Sequence, residues 1–189
     1  LELCREPVQE LIRLTRQFIE TFSEKKRQKN IVDFTDMEHF ALEILVKKED
    51  GEIRYTQAAD EFSDRFEEIL IDEYQDTNGV QELITSLLSS GDNRFMVGDI
   101  KQSIYRFRQA DPSIFREKLE SWPLLPGGEA RPRPEDGRPG ENAMLALDAN
   151  FRSAPQVVAG INFIFEQLMT PALGDTAYGD GQRLVCGAP

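Results

Sequence analysis

The chain has 189 residues, 40% of them hydrophobic, which suits one domain of ordinary size, or one domain with part of another, around a buried core. No apolar run approaches the ~20 residues that cross a bilayer, which argues against a membrane partner. Two cysteines near opposite ends and one histidine argue against a disulfide framework or zinc site and favour a reducing, cytoplasmic setting. A net charge of −12 repels DNA phosphates at long range, so any DNA contact needs a local basic patch.

Helical periodicity dominates the first third of the chain. Apolar residues recur at helical spacing over 5–28, and a short helix is predicted at 57–66. Between them, Thr35 and Glu38 have the spacing of a capping box and predict a helix start. The stripe that follows, predicted to be buried, comprises Met37, Phe40, Ala41, Ile44 and Leu45. His39 lies beside this stripe and is interpreted as a surface residue.

Three short apolar runs alternate with helical segments in the remainder. This alternation predicts an α/β fold with buried parallel strands. The runs are 69–71, 95–97 and 143–148. A helix at 79–90 would connect the first two, and further helices are expected to start at Asp111-Pro112 and at Ser153, where Ser153 and Gln156 suggest another capping box. The last helix would bury Val157, Ile161, Ile164, Phe165 and Leu168.

Residues 123–142 differ in composition from the rest. They hold half of the ten prolines and several of the thirteen glycines, which predicts a linker or exposed loop. It would divide the chain into a piece at 1–122 and a piece at 143–189.

An acid pair, Asp72-Glu73, ends the first apolar run. In open α/β sheets, ligands bind at the carboxyl ends of strands. A strand-end acid can hold Mg²⁺ beside nucleotide phosphates, and a neighbouring carboxylate can deprotonate the attacking water. Taken alone, however, such a pair is more often a helix cap or a solvated turn.

The second run leads into a segment with several side chains that could bind nucleotide or nucleic acid. Gln102 offers an amide that can touch a γ-phosphate or its attacking water. Tyr105 and Phe107 offer flat faces for base stacking, among the cations Lys101, Arg106 and Arg108. The alternative is that both rings are core residues with the arginines extending outward.

The third run leads to Arg152, just before a predicted helix. A guanidinium there could reach a phosphate across a domain cleft, as an arginine finger does. The alternative is an ordinary surface arginine.

Together these segments resemble helicase motifs II, III and IV of superfamily 1, the group that contains UvrD, PcrA and RecB. Ile69–Asn78 resembles motif II, Phe95–Ala110 motif III and Leu147–Ser153 motif IV, while residues 31–36 resemble the D-F-x-D segment that precedes motif II. The residues of these segments are most similar to those of the AddA family of helicase–nuclease subunits. Members of that family process double-strand DNA breaks for recombinational repair in bacteria.

The resemblance implies a partial RecA-like fold, roles for individual residues, and partners. Asp72 would bind Mg²⁺ with Glu73 as the catalytic base, and Gln102 would sense the γ-phosphate of ATP. Arg152, from the start of a second RecA-like domain, would complete the phosphate clamp. The residues implied to contact single-stranded DNA are Tyr105, Phe107 and Arg108. Phe107 stands where UvrD-like members carry Trp. Single- and double-stranded DNA and an AddB-like second subunit are the implied partners.

A phosphate-cradling loop, G-x-x-x-x-G-K-[ST], is absent, since none of the thirteen glycines is followed by lysine. The chain is therefore interpreted as an internal segment of a larger helicase, without ATPase activity by itself and able to self-associate through exposed sheet edges. Two alternatives remain open at this stage: a UvrD-type repair helicase without nuclease, and a catalytically silent interaction module with a helicase fold.

Overall fold

The computed structural model describes residues 5–125, 142–174, 177–179 and 182–187. It is mixed α/β, as predicted, and divides into two compact units, Leu1–Arg65 and Phe66–Pro189. Most of the predicted linker at 123–142 lies outside the described residues. Among the described residues, no helix combines the length and apolar character needed to cross a membrane.

The first unit consists of three helices and a hairpin. Helix α1 spans Arg5–Lys29, α2 spans Phe34–Leu45 and α3 spans Gln57–Arg65, close to the predicted bounds. Strands β1 (Val46–Glu49) and β2 (Glu52–Tyr55) form an antiparallel pair between α2 and α3. The buried contacts of this unit centre on Leu45 and Ala59.

Helix α2 begins earlier than its sequence suggested. Asp33 is the N-cap, and its carboxylate accepts a hydrogen bond from the Asp36 backbone N–H at 2.9 Å while Asp36 accepts one from the Asp33 N–H. Thr35 therefore lies inside the helix, and the predicted Thr35–Glu38 capping box is wrong. Lys26 reaches both acids, at 3.0 Å from Asp33 and 2.6 Å from Asp36, which joins the end of α1 to the start of α2.

The predicted burial of the α2 stripe is also largely wrong. Only Leu45 is buried, whereas Met37, Phe40 and Ile44 are each about half exposed. His39 is exposed, in agreement with its interpretation as a surface residue.

The β1–β2 hairpin was not predicted, although the sequence contains its signal. Asp50 and Gly51 form the turn with φ angles of 53° and 86°. Two consecutive positive φ angles define the type I′ turn that matches the twist of a hairpin, and Asp-Gly is a preferred sequence for it.

The second unit begins with a parallel strand pair that supports the acid pair. Strand β3 (Ile69–Ile71) runs parallel to β4 (Arg94–Met96), with Ile71 opposite Met96. Helix α4 (Gly79–Leu87) connects them, and α5 (Pro112–Ser121) follows. Short 3₁₀ turns occupy 74–76, 100–102 and 105–108. The parallel pairing and the α5 start at Asp111 confirm the predictions for this region.

Full burial of these strands was predicted, and this is wrong. Leu70 is 69% exposed and its register partner Phe95 is 57% exposed. One face of the pair is therefore apolar and open, while Ile69 and Ile71 point to the partly buried face.

The last part of the chain is organised around a second parallel pair. Strand β5 (Ala149–Asn150) pairs with β6 (Val185–Cys186), and α6 (Pro155–Leu168) and the short α7 (Pro171–Gly174) lie between them in sequence. The predicted strand at 143–148 is wrong in its bounds: Met144 forms an isolated bridge to Leu124, and the Asp148 backbone oxygen accepts the Val185 N–H at 2.9 Å just before β5 begins.

Helix α6 also differs in its cap and in its buried face. Its N-cap is Ala154, without a side-chain hydrogen bond, so the Ser153 capping box is wrong, whereas Pro155 does open the helix. The buried positions are Val158 and Asn162, not the predicted apolar stripe. Asn162 is buried because its amide bonds the backbone of Leu184 in both directions and accepts from the Tyr178 hydroxyl.

Candidate functional site

The acid pair lies at the carboxyl end of β3, as predicted. Two backbone bonds hold this end against the neighbouring strand: Val97 N–H donates to Ile71 O at 2.8 Å, and Tyr74 N–H donates to Val97 O at 2.9 Å. The segments that resemble motifs II and III therefore leave the sheet side by side.

Both acids are exposed at this strand end. The Asp72 carboxylate accepts the Glu73 backbone N–H at 2.9 Å. Glu73 has left-handed backbone angles, φ 50° and ψ 41°. A non-glycine residue in this region costs about 1–2 kcal/mol, and such positions cluster at functional sites. The carboxylate oxygens of Asp72 and Glu73 are of the kind that Mg²⁺ prefers. Among the described residues, no group of three or more His, Cys, Asp or Glu side chains could hold a metal ion by itself, so these two acids fit an ion that takes its remaining ligands from water or nucleotide phosphates.

Gln75, which sequence reasoning did not single out, joins the two segments. Its side chain is 1% exposed. The amide nitrogen donates to Glu73 Oε2 at 2.7 Å, and the amide oxygen accepts the Asp99 backbone N–H at 2.9 Å. The sequence signal for Gln75 was its position within Asp-Glu-Tyr-Gln-Asp. A glutamine after two acids does not by itself indicate that the side chain is buried or which groups it bonds.

Gln102 is exposed and lies in the 3₁₀ turn Ile100–Gln102, which Asp99 caps by accepting the Lys101 N–H at 3.0 Å. The Gln102 amide nitrogen donates to the other oxygen of Asp99 at 3.1 Å. Burial opposes ionisation of Asp99, yet the hydrogen bonds from Lys101 and Gln102 and the Lys101 charge hold its pKa below the usual value.

Lys101 was predicted to contribute its charge to a basic, aromatic surface, but it forms an ion pair with Asp99 instead. Its ammonium lies 2.9 Å from Asp99 Oδ1, and its side chain is 15% exposed. The positive charge of Lys101 is therefore largely balanced within the turn.

The aromatic pair lies on the 3₁₀ turn Tyr105–Arg108. Phe107 is 75% exposed and Tyr105 37%, so the alternative that both rings are core residues is wrong. Their ring centroids are 5.7 Å apart at 43°, and the Arg108 guanidinium carbon lies 5.4 Å and 5.7 Å from the two centroids. Two exposed rings sharing one cation form a surface suited to base stacking.

Arg152 lies on a turn between β5 and α6. Asn150 Oδ1 accepts the backbone N–H groups of Arg152 and Ser153, at 3.0 Å and 2.8 Å, which fixes this turn. The Arg152 residue is exposed. Within the described part of the chain, no hydrogen bond or ion pair joins its side chain to Asp72, Glu73 or Gln102, so its role in a phosphate clamp stays a prediction.

A buried polar cluster beneath the acid pair also went unpredicted. The Tyr74 hydroxyl donates to Glu82 at 2.5 Å, and Glu82 also accepts from Lys118 at 3.0 Å and Arg94 at 3.2 Å. Burial and the Glu82 carboxylate raise the pKa of Tyr74. Burial disfavours the charged form of Glu82, but its hydrogen bonds from Tyr74 and Lys118 and the charges of Lys118 and Arg94 lower its pKa. The cluster fixes the turn that carries Glu73 onto α4, β4 and α5.

Acids after one parallel strand and an amide after its neighbour form the arrangement expected of a nucleotide hydrolase. Residues 5–123 match the UvrD/REP helicase N-terminal domain, which is more than half of the chain. The chain belongs to the UvrD/REP helicase family.

Relatives refine this assignment. The chain is 44% identical over 185 residues to an ATP-dependent helicase/nuclease subunit from Pelotomaculum thermopropionicum. It is 46% identical over 186 residues to the helicase/nuclease subunit of the same name from Staphylococcus carnosus, and 45% over 183 residues to that from Acetivibrio thermocellus. The alignments cover 94–96% of the chain but only 14% of each relative. The predicted resemblance to superfamily 1 helicase–nuclease subunits is thereby confirmed.

Proposed function

We propose that this chain supplies the hydrolytic half of an ATP site in an AddA-like helicase–nuclease subunit that processes double-strand DNA breaks in the bacterial cytoplasm. The observation that carries the proposal is the pairing of β3 with β4, which places Asp72-Glu73 next to the segment of Gln102. The identity to helicase/nuclease subunits supports the choice of that parent protein.

Each residue has a task that follows from its position. Bound Mg²⁺ would neutralise phosphate charge on ATP, with Asp72 as its protein ligand. Glu73 would accept the proton of the attacking water, since its carboxylate is exposed beside Asp72. Gln102 would contact the γ-phosphate, and Arg152 would approach it from the second domain.

The proposed domain boundary rests on the two separate parallel pairs, β3–β4 and β5–β6, although both lie within the compact unit Phe66–Pro189. Residues 1–122 would contribute to a first RecA-like domain and 143–189 would begin a second, with 123–142 as the connection. This sequence contains no G-x-x-x-x-G-K-[ST] loop to hold the β- and γ-phosphates, so the 189-residue chain alone would bind ATP weakly and not hydrolyse it.

The DNA contact would be the surface formed by Tyr105, Phe107 and Arg108. One stacked base contributes about 1–3 kcal/mol, so Phe107→Ala should weaken single-stranded DNA binding by roughly 5- to 150-fold. Fluorescence anisotropy with a labelled oligothymidine measures this. Phe163→Ala is the matched control, because Phe163 is also mostly exposed, at 66%, but lies on α6. Equal losses in the two variants would refute the assignment.

The catalytic assignment is tested by Glu73→Gln in the complete subunit, reconstituted with its AddB-like partner and double-stranded DNA ends. DNA-stimulated ATP hydrolysis should fall by at least about 100-fold, while Glu68→Gln, at an exposed position before β3, leaves it unchanged. Wild-type DNA binding without any hydrolysis would instead favour the silent interaction module. Hydrolysis without nuclease activity would favour a UvrD-type helicase.

A further inference from the structure

Gln75 is one of the two largest fully buried side chains in the described structure, the other being its neighbour Tyr74. A buried amide is costly unless its polar atoms are bonded. Gln75 meets this requirement with two groups at the candidate site: it donates to the Glu73 carboxylate and accepts from the Asp99 backbone. The third contact is the Ser103 hydroxyl, which lies 3.4 Å from the Gln75 backbone oxygen.

Gly98 provides the space for this arrangement. A Cβ at that position would lie 2.6 Å from Gln75 Oε1 and 3.1 Å from the Tyr74 backbone nitrogen. The loop after β4 can therefore approach the Gln75 amide this closely only because residue 98 has no side chain.

A continuous chain of hydrogen bonds results. It runs from Glu73 Oε2 to the Gln75 amide, from that amide to the Asp99 backbone, and from the Asp99 carboxylate to the Gln102 amide. The oxygen and nitrogen of the Gln75 amide lie in one rigid plane, so the group that bonds Asp99 and the group that bonds Glu73 change orientation together.

We infer that Gln75 is a positioning residue that fixes the Glu73 carboxylate and couples its orientation to the Gln102 turn. The inference rests on the proposed function of Glu73 and Gln102. Gln75 anchors one carboxylate oxygen of Glu73, which otherwise stands exposed on a left-handed residue. The second oxygen is then presented in a fixed direction to accept a proton from water. A change at Gln102 on phosphate contact reaches Glu73 through Asp99 and Gln75.

The geometry is tested first on the 189-residue chain. Gln75→Met keeps the length of the side chain but removes both hydrogen bonds. Amide exchange measured by NMR should be at least about 10-fold faster at Asp99 in this variant, because its N–H loses its acceptor. Exchange at Gln81 N–H, which bonds Asn78, should not change. Unaltered exchange at Asp99 would overturn the hydrogen-bond chain.

The coupling is tested in the complete subunit by ATP hydrolysis with single-stranded DNA. Loss of a residue that orients a catalytic group costs roughly 10- to 100-fold in activity. Gln75→Met should lower kcat by this factor and change the KM for ATP less than about 3-fold. Gln57→Met is the control, since Gln57 bonds Glu61 on the exposed face of α3.

Gln75→Glu separates positioning from simple packing. It can still accept the Asp99 N–H but has no amide N–H to donate to Glu73. Amide exchange at Asp99 should therefore stay near the wild-type rate, whereas kcat should fall roughly as it does for Gln75→Met. A residue that only fills space would keep the wild-type kcat in this variant.

The outcomes distinguish the two proposals. If the wild-type subunit does not hydrolyse ATP, or Glu73→Gln leaves hydrolysis intact, the proposed function is wrong. If Glu73→Gln abolishes hydrolysis while Gln75→Met and Gln75→Glu both retain the wild-type kcat, only the positioning role is wrong. Non-additive effects of Gln75→Met and Gln102→Ala are expected, because both act through one chain of contacts.

Discussion

Tyr74→Phe isolates a single hydroxyl in the polar cluster that supports the acid pair. The ring is 1% exposed, and its hydroxyl donates to Glu82 at 2.5 Å. Phenylalanine would keep the edge-to-face contact with Phe115, at 5.5 Å between centroids and 88°, and the position of Lys118 at 5.5 Å from the ring. The substitution therefore removes one charge-assisted hydrogen bond and little packing.

The expected loss follows from that bond. A hydrogen bond to a charged group contributes about 1.5–3 kcal/mol. Glu82 would keep Lys118 and Arg94 as partners of its other oxygen, Oε1, so its charge stays paired, but Oε2 would lose the Tyr74 hydroxyl and the loss should span the range of about 1.5–3 kcal/mol. Below the folded-state pKa of Glu82 the acceptor is neutral, and roughly half of this difference should disappear.

Urea unfolding followed by fluorescence measures the loss. Trp122 is the single tryptophan and lies 5.8 Å from Lys118, so it reports on the unit that contains Tyr74. The control is Tyr105→Phe, at a tyrosine that is 37% exposed in the same unit, where a change within about 0.5 kcal/mol is expected. A loss below about 0.5 kcal/mol for Tyr74→Phe, or equal losses in the two variants, would refute the reasoning.

Three further outcomes are expected. Gly98→Ala should lower urea stability by about 1–3 kcal/mol, the usual range for overpacking, because its Cβ would meet the Gln75 amide; a thermal or urea transition at the wild-type position would contradict the close approach. The pKa of Glu82 is lower in the folded chain than in the unfolded one, so its contribution to stability is present above about pH 4.3 and is lost as pH falls through the folded value; Glu82→Gln should flatten the acid side of the stability–pH curve, and an equally steep curve would contradict this. Leu70 and Phe95 form an open apolar pair on β3 and β4, so the chain should self-associate with rising concentration and Leu70→Lys should shift it toward monomer; light scattering of a wild-type monomer at all concentrations would contradict this.

Local sequence patterns predicted the helices and strands of this chain better than they predicted the caps and the burial of those elements. The parallel pairing of 69–71 with a run near 95 could be predicted because short apolar runs that alternate with helices usually form parallel strands. Cap positions were less reliable. Thr35–Glu38 and Asp33–Asp36 have the same spacing, and the second pair forms because Asp33 adopts the extended backbone that a cap requires.

Burial was the least predictable property. Periodicity indicates which residues share a face, but not whether another element covers that face. The stripe of α2 is regular, yet Phe40 and Ile44 are half exposed. In α6 the buried positions are Val158 and Asn162. Asn162 is buried because its amide bonds the backbone of Leu184, and no hydrophobic pattern encodes such a bond.

In the candidate site, too, the exposed residues could be predicted from the sequence and the buried ones could not. Residues that would meet solvent, nucleotide or DNA could be predicted from chemistry alone, since Glu73, Gln102 and Phe107 are all exposed. The residues that hold them are buried or half-buried and bond through the fold: Gln75 reaches Asp99, which is distant in sequence, and its amide is useful only where both neighbours are in place. A substitution of Gln75 that leaves Glu73 and Gln102 unchanged would therefore keep the motifs recognisable in sequence. It would nevertheless uncouple the Glu73 segment from the Gln102 segment.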